Sequence, residues 1–74
     1  MSVIIEIDAP DLLPSLVARL QAADCWAEPI STNACRVVHL DAESASQAIY
    51  ELRFFANAWA GSQGGVGVQL RLAA

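Results

Sequence analysis

The chain has 74 residues and a net charge of −4, with eight carboxylates, four arginines and no lysine. Its length suits one domain, so we expect residues 1–74 to fold as a single unit. The arginines are spread evenly and no segment concentrates positive charge, which argues against binding to nucleic acid or to an anionic membrane surface. Hydrophobic residues make up 55% of the chain. A body this small and apolar is expected to cover part of its surface in an oligomer, most simply a homodimer.

The opening segment MSVIIEID lacks the basic start of a secretory signal, and Glu6 and Asp8 interrupt its apolar run. No apolar stretch approaches the roughly 20 residues that a membrane helix needs. With two cysteines and no export signal, we expect reduced thiols and a cytoplasmic location.

The first two elements are a strand and a helix. SVIIEID alternates and places Val3, Ile5 and Ile7 on one face of a strand. The segment APDLLPSLVARLQAAD follows with apolar residues at helical spacing, namely Leu13, Leu16, Val17 and Leu20. Asp11 is positioned to cap this helix, and Pro14 is tolerated because the N–H groups of the first turn have no partner within the helix.

The segment CWAEPISTNACRVVH, residues 25–39, predicts a β-hairpin with the loop Ser31 to Asn33. Asn33 suits the left-handed conformation that ends many three-residue hairpin loops. Closing the loop with Ile30 opposite Ala34 gives pairs whose numbers sum to 64. This register places Glu28 opposite Arg36, a favourable pair of opposite charges. It also places Pro29 opposite Cys35, at a position that makes no hydrogen bonds to the neighbouring strand. The missing N–H of Pro29 then points out of the hairpin, which is tolerated only in an edge strand.

The remaining chain predicts a second helix and a last strand. In DAESASQAIYELRFFANAWAG, Ser44 and Gln47 have capping-box spacing and Gly61 fits a C-terminal stop. The inward stripe of this helix is expected to comprise Ala45, Ile49, Leu52, Phe55 or Ala56, and Trp59, with Tyr50 and Phe54 towards its flank. GVGVQLRL then alternates, with Val66, Val68, Leu70 and Leu72 on the buried face.

The order strand, helix, strand, strand, helix, strand predicts an α+β fold. Right-handed crossovers on an antiparallel sheet give a ferredoxin-like βαββαβ sandwich, with four strands and two helices on one face. In that layout the strand with Pro29 lies at an edge, as the proline requires.

The stretch IDAPDLLPSLVARLQAADCWAEPIST resembles ACT-type regulatory domains, which are ferredoxin-like modules that often pair side by side and bind amino acids or similar small effectors. Asp8, Pro10, Leu12 and Leu13 match the family's Asp-x-Pro-Gly-Leu-Leu turn, whereas Asp11 stands where the family usually has glycine. The resemblance implies an effector site at this turn, near Asp8, Asp11 and Leu12, against a neighbouring subunit. A carboxylate at Asp11 would repel an effector that bears a carboxyl group.

Cys25, Cys35 and His39 are the residues with the strongest potential chemistry. In the derived register Cys25 faces His39, and the two cysteines lie too far apart for a disulfide. The spread is also too long for a shared zinc ion, and a fourth ligand is not evident. We therefore expect core-lining thiols and no metal or cofactor, and leave only the Cys25–His39 pair as a residual chemical possibility.

Two other segments have weaker functional potential. Asp8 and Asp11 cluster where the first strand meets the first helix; they can bind a cation or an amine, but a turn former and a helix cap are the simpler roles. The loop GSQGGVG is glycine-rich, yet it leads into a strand, whereas a phosphate cradle needs a helix N-terminus.

The outer sheet face, opposite the helices, is predicted to be an interface. It carries Ile4, Trp26, Val38 and Leu40, which we expect to cluster at one end, while Glu6, Glu28 and Arg36 gather at the other. An apolar end with a tryptophan beside a charged end is typical of a protein interface. The alternative is that the hairpin faces are swapped and Trp26 is in the core.

These features support three hypotheses. The first is a non-catalytic regulatory module that binds an amino acid or similar effector at a subunit interface. The second is a protein-interaction or oligomerisation subunit that uses the open sheet face and binds no small ligand. The third, an acylphosphatase-like hydrolase, fits worst, because its phosphate cradle needs an arginine at the first turn, where this chain has Asp8 and Asp11.

Overall fold

A computed structural model describes residues 2–73 and shows an α+β fold with four strands and two helices. The elements are β1 (Val3–Ile7), α1 (Leu13–Ala22), β2 (Cys25–Pro29), β3 (Ala34–His39), α2 (Ala45–Ser62) and β4 (Val68–Leu72). A short 3₁₀ turn, Pro10–Leu12, precedes α1. None of the helices within residues 2–73 has the length and apolar character to cross a membrane.

The strands form one antiparallel sheet in the order β2-β3-β1-β4. The predicted hairpin register is confirmed pair by pair, from Cys25 opposite His39 to Pro29 opposite Cys35. β2 is an edge strand, as Pro29 requires. The hairpin therefore folds as its loop length and its proline indicate.

The hairpin loop closes in a different way from the one predicted. Asn33 does not have a positive φ; among the described residues other than glycine, only Asp24 does, with φ 61°, just before β2. The backbone N–H of Asn33 instead donates to the Ser31 hydroxyl oxygen at 3.4 Å, and Ile30 N–H donates to the Ala34 carbonyl at 2.9 Å. A side-chain hydrogen bond therefore stabilises the loop in place of a left-handed residue.

One sheet face is buried against both helices. The core cluster combines alternate strand residues, such as Val3, Ile5 and Val37, with Leu16 of α1 and Leu52 of α2. On α1 the predicted stripe is confirmed, with Leu13, Leu16 and Leu20 buried and Val17 half-buried. Because the strand residues of this core cluster all belong to one face, both helices pack on that face and the opposite face of the sheet has no helix against it.

α2 begins as predicted and ends later than predicted. The Ser44 hydroxyl oxygen accepts from Gln47 N–H at 3.1 Å, which caps the first turn. Gly61 lies inside the helix and does not stop it. The helix ends where Gly65 N–H donates to the Ala60 carbonyl and Gly64 N–H donates to the Gly61 carbonyl, the hydrogen-bond pattern of a Schellman motif. Both glycines have positive φ, 88° at Gly64 and 94° at Gly65, a conformation that glycine adopts without steric cost.

The other side-chain predictions for α2 and β4 hold only in part. Along α2 the fully buried residues are Ala48, Leu52, Ala56, Trp59 and Ala60. Ala45, Ile49 and Phe55 are half-buried. Val66, Val68 and Leu70 are also half-buried, and Leu72 is 48% exposed. β4 has only β1 as a strand neighbour, and the helices leave its inner side chains partly uncovered.

Candidate functional site

The outer face of the sheet has no helix packed against it within residues 2–73. The strand registers arrange it in rows across the sheet. One row contains Glu28, Arg36, Ile4 and Arg71, and the neighbouring row contains Trp26 opposite Val38. Trp26 is 46% exposed and Leu40, just beyond β3, is 64% exposed. The face is therefore the one predicted to be open, and Trp26 lies on it rather than in the core.

The structure changes two details of the predicted arrangement on this face. Ile4 is only 3% exposed, so it offers almost no contact surface as it stands. It lies between Arg36 and Arg71 on its two neighbouring strands, and the aliphatic stems of these arginines can cover it. The separation into apolar and charged ends is also wrong, because the Glu28–Arg36 pair lies in the row of Ile4. Val38 is half-buried, which leaves Trp26 and Leu40 as the exposed members of the predicted set. Ile30, just beyond β2, is a further exposed apolar residue.

The charges on this face balance. It carries Glu6, Glu28, Arg36 and Arg71, and Arg71 Nη2 lies 3.2 Å from Glu6 Oε1. Glu28 and Arg36 are opposite each other, but the side-chain ion pairs within residues 2–73 are limited to Arg71–Glu6 and His39–Glu51. The other two arginines and six carboxylates of the chain carry the whole net charge of −4. The open face is thus the neutral side of an acidic molecule.

The three residues of the predicted effector site, Asp8, Asp11 and Leu12, do not line one common cavity. Asp8 Oδ1 accepts a hydrogen bond from Gly67 N–H at 2.9 Å, which joins the end of β1 to the start of β4. A cavity of about 350 Å³ lies beside this contact, lined by Glu6, Ile7, Asp8, Asn33, Gly67, Val68 and Gln69. Asp11 is exposed and Leu12 packs against the core, and neither lines the cavity. Asp11 also makes no capping hydrogen bond, so its predicted role as a helix cap is wrong.

Both cysteines are buried free thiols, as predicted. Burial raises the pKa of the Cys35 thiol to about 11. Burial, with the nearby carboxylates of Asp24 and Asp41, also raises the pKa of the Cys25 thiol. Thiols with raised pKa values are protonated at neutral pH and are poor nucleophiles and metal ligands.

His39 forms a contact that the sequence did not reveal. Its Nε2 lies 2.6 Å from Glu51 Oε1, so the end of β3 is joined to α2. The pKa of Glu51 is lowered because its carboxylate accepts hydrogen bonds from the Gln47 amide and from His39. His39 Nδ1 is buried and has no hydrogen-bond partner within the described residues. The pairing depends on where α2 crosses the sheet, and local sequence patterns do not report that position.

α2 presents an aromatic surface that sequence reasoning assigned to its flank. Tyr50 is 74% exposed and Phe54 is 76% exposed. They line a mostly apolar cavity of about 540 Å³ with Phe55, Ala58 and the His39–Glu51 pair. Cys25 also lines it, but within residues 2–73 there is no cluster of three or more His, Cys, Asp or Glu side chains that could hold a metal ion.

No protein family, curated protein or solved structure is significantly similar to this chain. The likeness to ACT-type domains thus stays a prediction drawn from Asp8, Pro10, Leu12 and Leu13. Functional assignment depends on the geometry of the surfaces described above.

Proposed function

We propose that this chain is a small non-catalytic module of ferredoxin-like topology that associates with a second copy of itself through its open sheet face. The strand order β2-β3-β1-β4, the antiparallel pairing and the helices that follow β1 and β3 support this topology. The observation that carries the functional proposal is the uncovered sheet face, with Trp26 and Leu40 exposed on the neutral side of the molecule.

The apolar groups make this face favourable to bury. Trp26 supplies a large ring with one hydrogen-bond donor, the kind of side chain that often dominates interface energies. Val38 lies directly opposite Trp26 on β3 and is half-buried, so it adds apolar area beside the ring. Burying exposed apolar area contributes roughly 25 cal/mol for each Å² removed from water.

The charge pattern favours a second copy as the partner. Two acidic chains repel each other at most orientations, but the sheet faces can approach without bringing net charge together. Because Glu6 and Glu28 share the face with Arg36 and Arg71, a two-fold arrangement can place carboxylates of one copy opposite arginines of the other. Such complementarity fixes the orientation of the pair and excludes other acidic surfaces.

Replacement of Trp26 tests this proposal. Trp26→Asp introduces a charge into the apolar part of the face, and we expect it to halve the mass of the assembly measured by light scattering. Trp26 is half exposed, so the variant is expected to keep its fold, which circular dichroism checks. Tyr50→Asp is the matched control, because Tyr50 is an exposed aromatic residue on the helix layer and lies outside the face. Unchanged mass for Trp26→Asp would rule out this interface.

A second candidate function is binding of an amino-acid-like effector near Asp8. It is favoured by the cavity of about 350 Å³ beside Asp8, which has Glu6 and Gln69 as further polar lining groups. An amine is the group that these carboxylates would recognise. Thermal unfolding with a panel of amino acids and amines tests it: a ligand at 100 times its Kd stabilises by about 2.7 kcal/mol. A panel that leaves the melting temperature unchanged would eliminate this candidate and leave the association proposal intact.

A further inference from the structure

The two edges of the sheet differ in how they are protected. In β2, Ile30 N–H donates to Ala34, and since antiparallel pairs alternate, Cys25, Ala27 and Pro29 direct their backbone groups away from β3. Pro29 has no N–H to offer there. The Gln21 side chain of α1 donates to the outward carbonyl of Ala27 at 3.1 Å. This edge is therefore closed to a further strand by a proline and by a side-chain hydrogen bond.

β4 has neither kind of protection. Asp8 N–H donates to the Gly67 carbonyl and Ala73 N–H donates to the Ser2 carbonyl, which fixes the alternation along the β1–β4 pair. Val68, Leu70 and Leu72 consequently direct their N–H and C=O groups away from β1, to the outside of the sheet. β4 contains no proline, its one charged residue is Arg71, and its inner side chains are only partly covered. An exposed edge of this type is a template for strand pairing.

We propose that β4 pairs antiparallel with β4 of a second copy, around a two-fold axis at Leu70, to give a continuous eight-stranded sheet. In this register Leu70 lies opposite Leu70 of the other copy, and Val68 lies opposite its Leu72. Each of these residue pairs exchanges both backbone hydrogen bonds, so every outward group of the three residues gains a partner. The inner side chains of the two strands also form one apolar row, which covers the exposed part of Leu72.

The charges at this junction are compatible with pairing. On the outer face the register puts Gln69 opposite Arg71 of the other copy, so arginines do not face each other. Each Arg71 also has Glu6 of its own chain at 3.2 Å. The other edge has Pro29 at the position of a needed donor, and its Ala27 carbonyl already accepts from Gln21. Pairing through β4 is thus favoured over pairing through β2 by hydrogen bonding.

This contact is distinct from the association of sheet faces proposed above. A two-fold axis normal to the sheet keeps the helices of both copies on the same side, so the two open faces become one wider surface. Packing of the open faces uses a second two-fold axis, perpendicular to the first. The two contacts together give a closed assembly of four chains. The β4 pairing is expected to persist when the sheet-face contact is broken, and the reverse also holds. Each of the two proposals can therefore be tested and rejected without affecting the other.

The first test compares Leu70→Pro with Leu70→Ala by light scattering. Both changes remove the leucine side chain, but only proline removes the outward N–H, and this N–H makes no bond to β1. Leu70→Pro is expected to halve the mass while Leu70→Ala keeps it. If Leu70→Pro keeps the full mass, or if both variants lose mass equally, the edge pairing is wrong.

Amide exchange in the unaltered chain gives a second test that does not depend on any variant. In a single copy, the amides of Val68, Leu70 and Leu72 face solvent and exchange quickly. In the paired strand they are expected to exchange roughly tenfold or more slowly, approaching Gln69 and Arg71, which donate to β1. Trp26→Asp is expected to leave this protection in place. Fast exchange of the three amides at every protein concentration would overturn the proposal.

Discussion

Asp8 joins two distant parts of the chain through a single side-chain contact. Its carboxylate accepts from Gly67 N–H, 59 positions along the sequence, where β4 approaches the end of β1. The contact also explains why residue 67 is glycine. A Cβ atom there would lie 2.6 Å from Asp8 Oδ2, closer than atoms pack without displacement. The sequence predicts Asp8 to be a turn residue, but no local pattern indicates its partner.

This contact predicts that changes at the two positions are not additive. Asp8→Ala removes the hydrogen bond and is expected to lower the free energy of unfolding by about 1 kcal/mol. Gly67→Ala displaces the carboxylate and is expected to cost a similar amount. The double variant should be little worse than either single variant, because both disrupt the same bond. Urea unfolding of the four proteins measures this coupling, and fully additive losses would contradict it.

Among the elements, those with local determinants match the sequence prediction best. The hairpin register depends on Ile30, Ala34 and the three residues between them, and every predicted pair is present. Asn33 nevertheless does not adopt the left-handed conformation, because the Ser31 hydroxyl supplies another way to close the loop. The sequence predicts that α2 ends at Gly61, because a glycine after a helical pattern is the usual stop signal. The helix instead continues through Gly61 and ends at the Schellman motif that the following Gly64–Gly65 pair completes.

Opposite effects are therefore expected from two glycine substitutions at this end of α2. Gly64→Ala forces an L-residue into φ 88° and is expected to destabilise the chain by roughly 1–2 kcal/mol. Gly61→Ala is the matched control, because Gly61 is helical and a Cβ there meets no atom within 4 Å. It is expected to stabilise by about 0.5–1 kcal/mol. Melting temperatures that fall for Gly61→Ala and stay constant for Gly64→Ala would show that the helix ends at Gly61.

At the scale of the whole molecule, the proposed association depends on how charges and apolar side chains are distributed over the surface. The alternation of the strands predicts which residues leave the core, and Trp26 is on the open face as expected. Local patterns do not predict that Ile4 lies buried between Arg36 and Arg71, since this depends on how β1, β3 and β4 pair. The exposure of Tyr50 and Phe54 likewise depends on how α2 is rotated over the sheet. Surfaces are harder to predict than elements because they are formed by several elements together.

A chain of this size has limited means of stabilising itself alone. Domains of about 60 residues bury only roughly 60% of the surface that their unfolded chains expose, so association adds burial that the monomer lacks. The open sheet face and the unprotected β4 edge are the two surfaces where that burial is available without opposing like charges.

The most direct measurement is the mass of the unaltered chain in solution by light scattering, over a range of micromolar concentrations. One chain has a mass of 7.9 kDa. The sheet-face contact predicts a particle at least twice as heavy, which reaches four chains if β4 also pairs. A mass of 7.9 kDa at every concentration would contradict the proposal that this chain associates with itself.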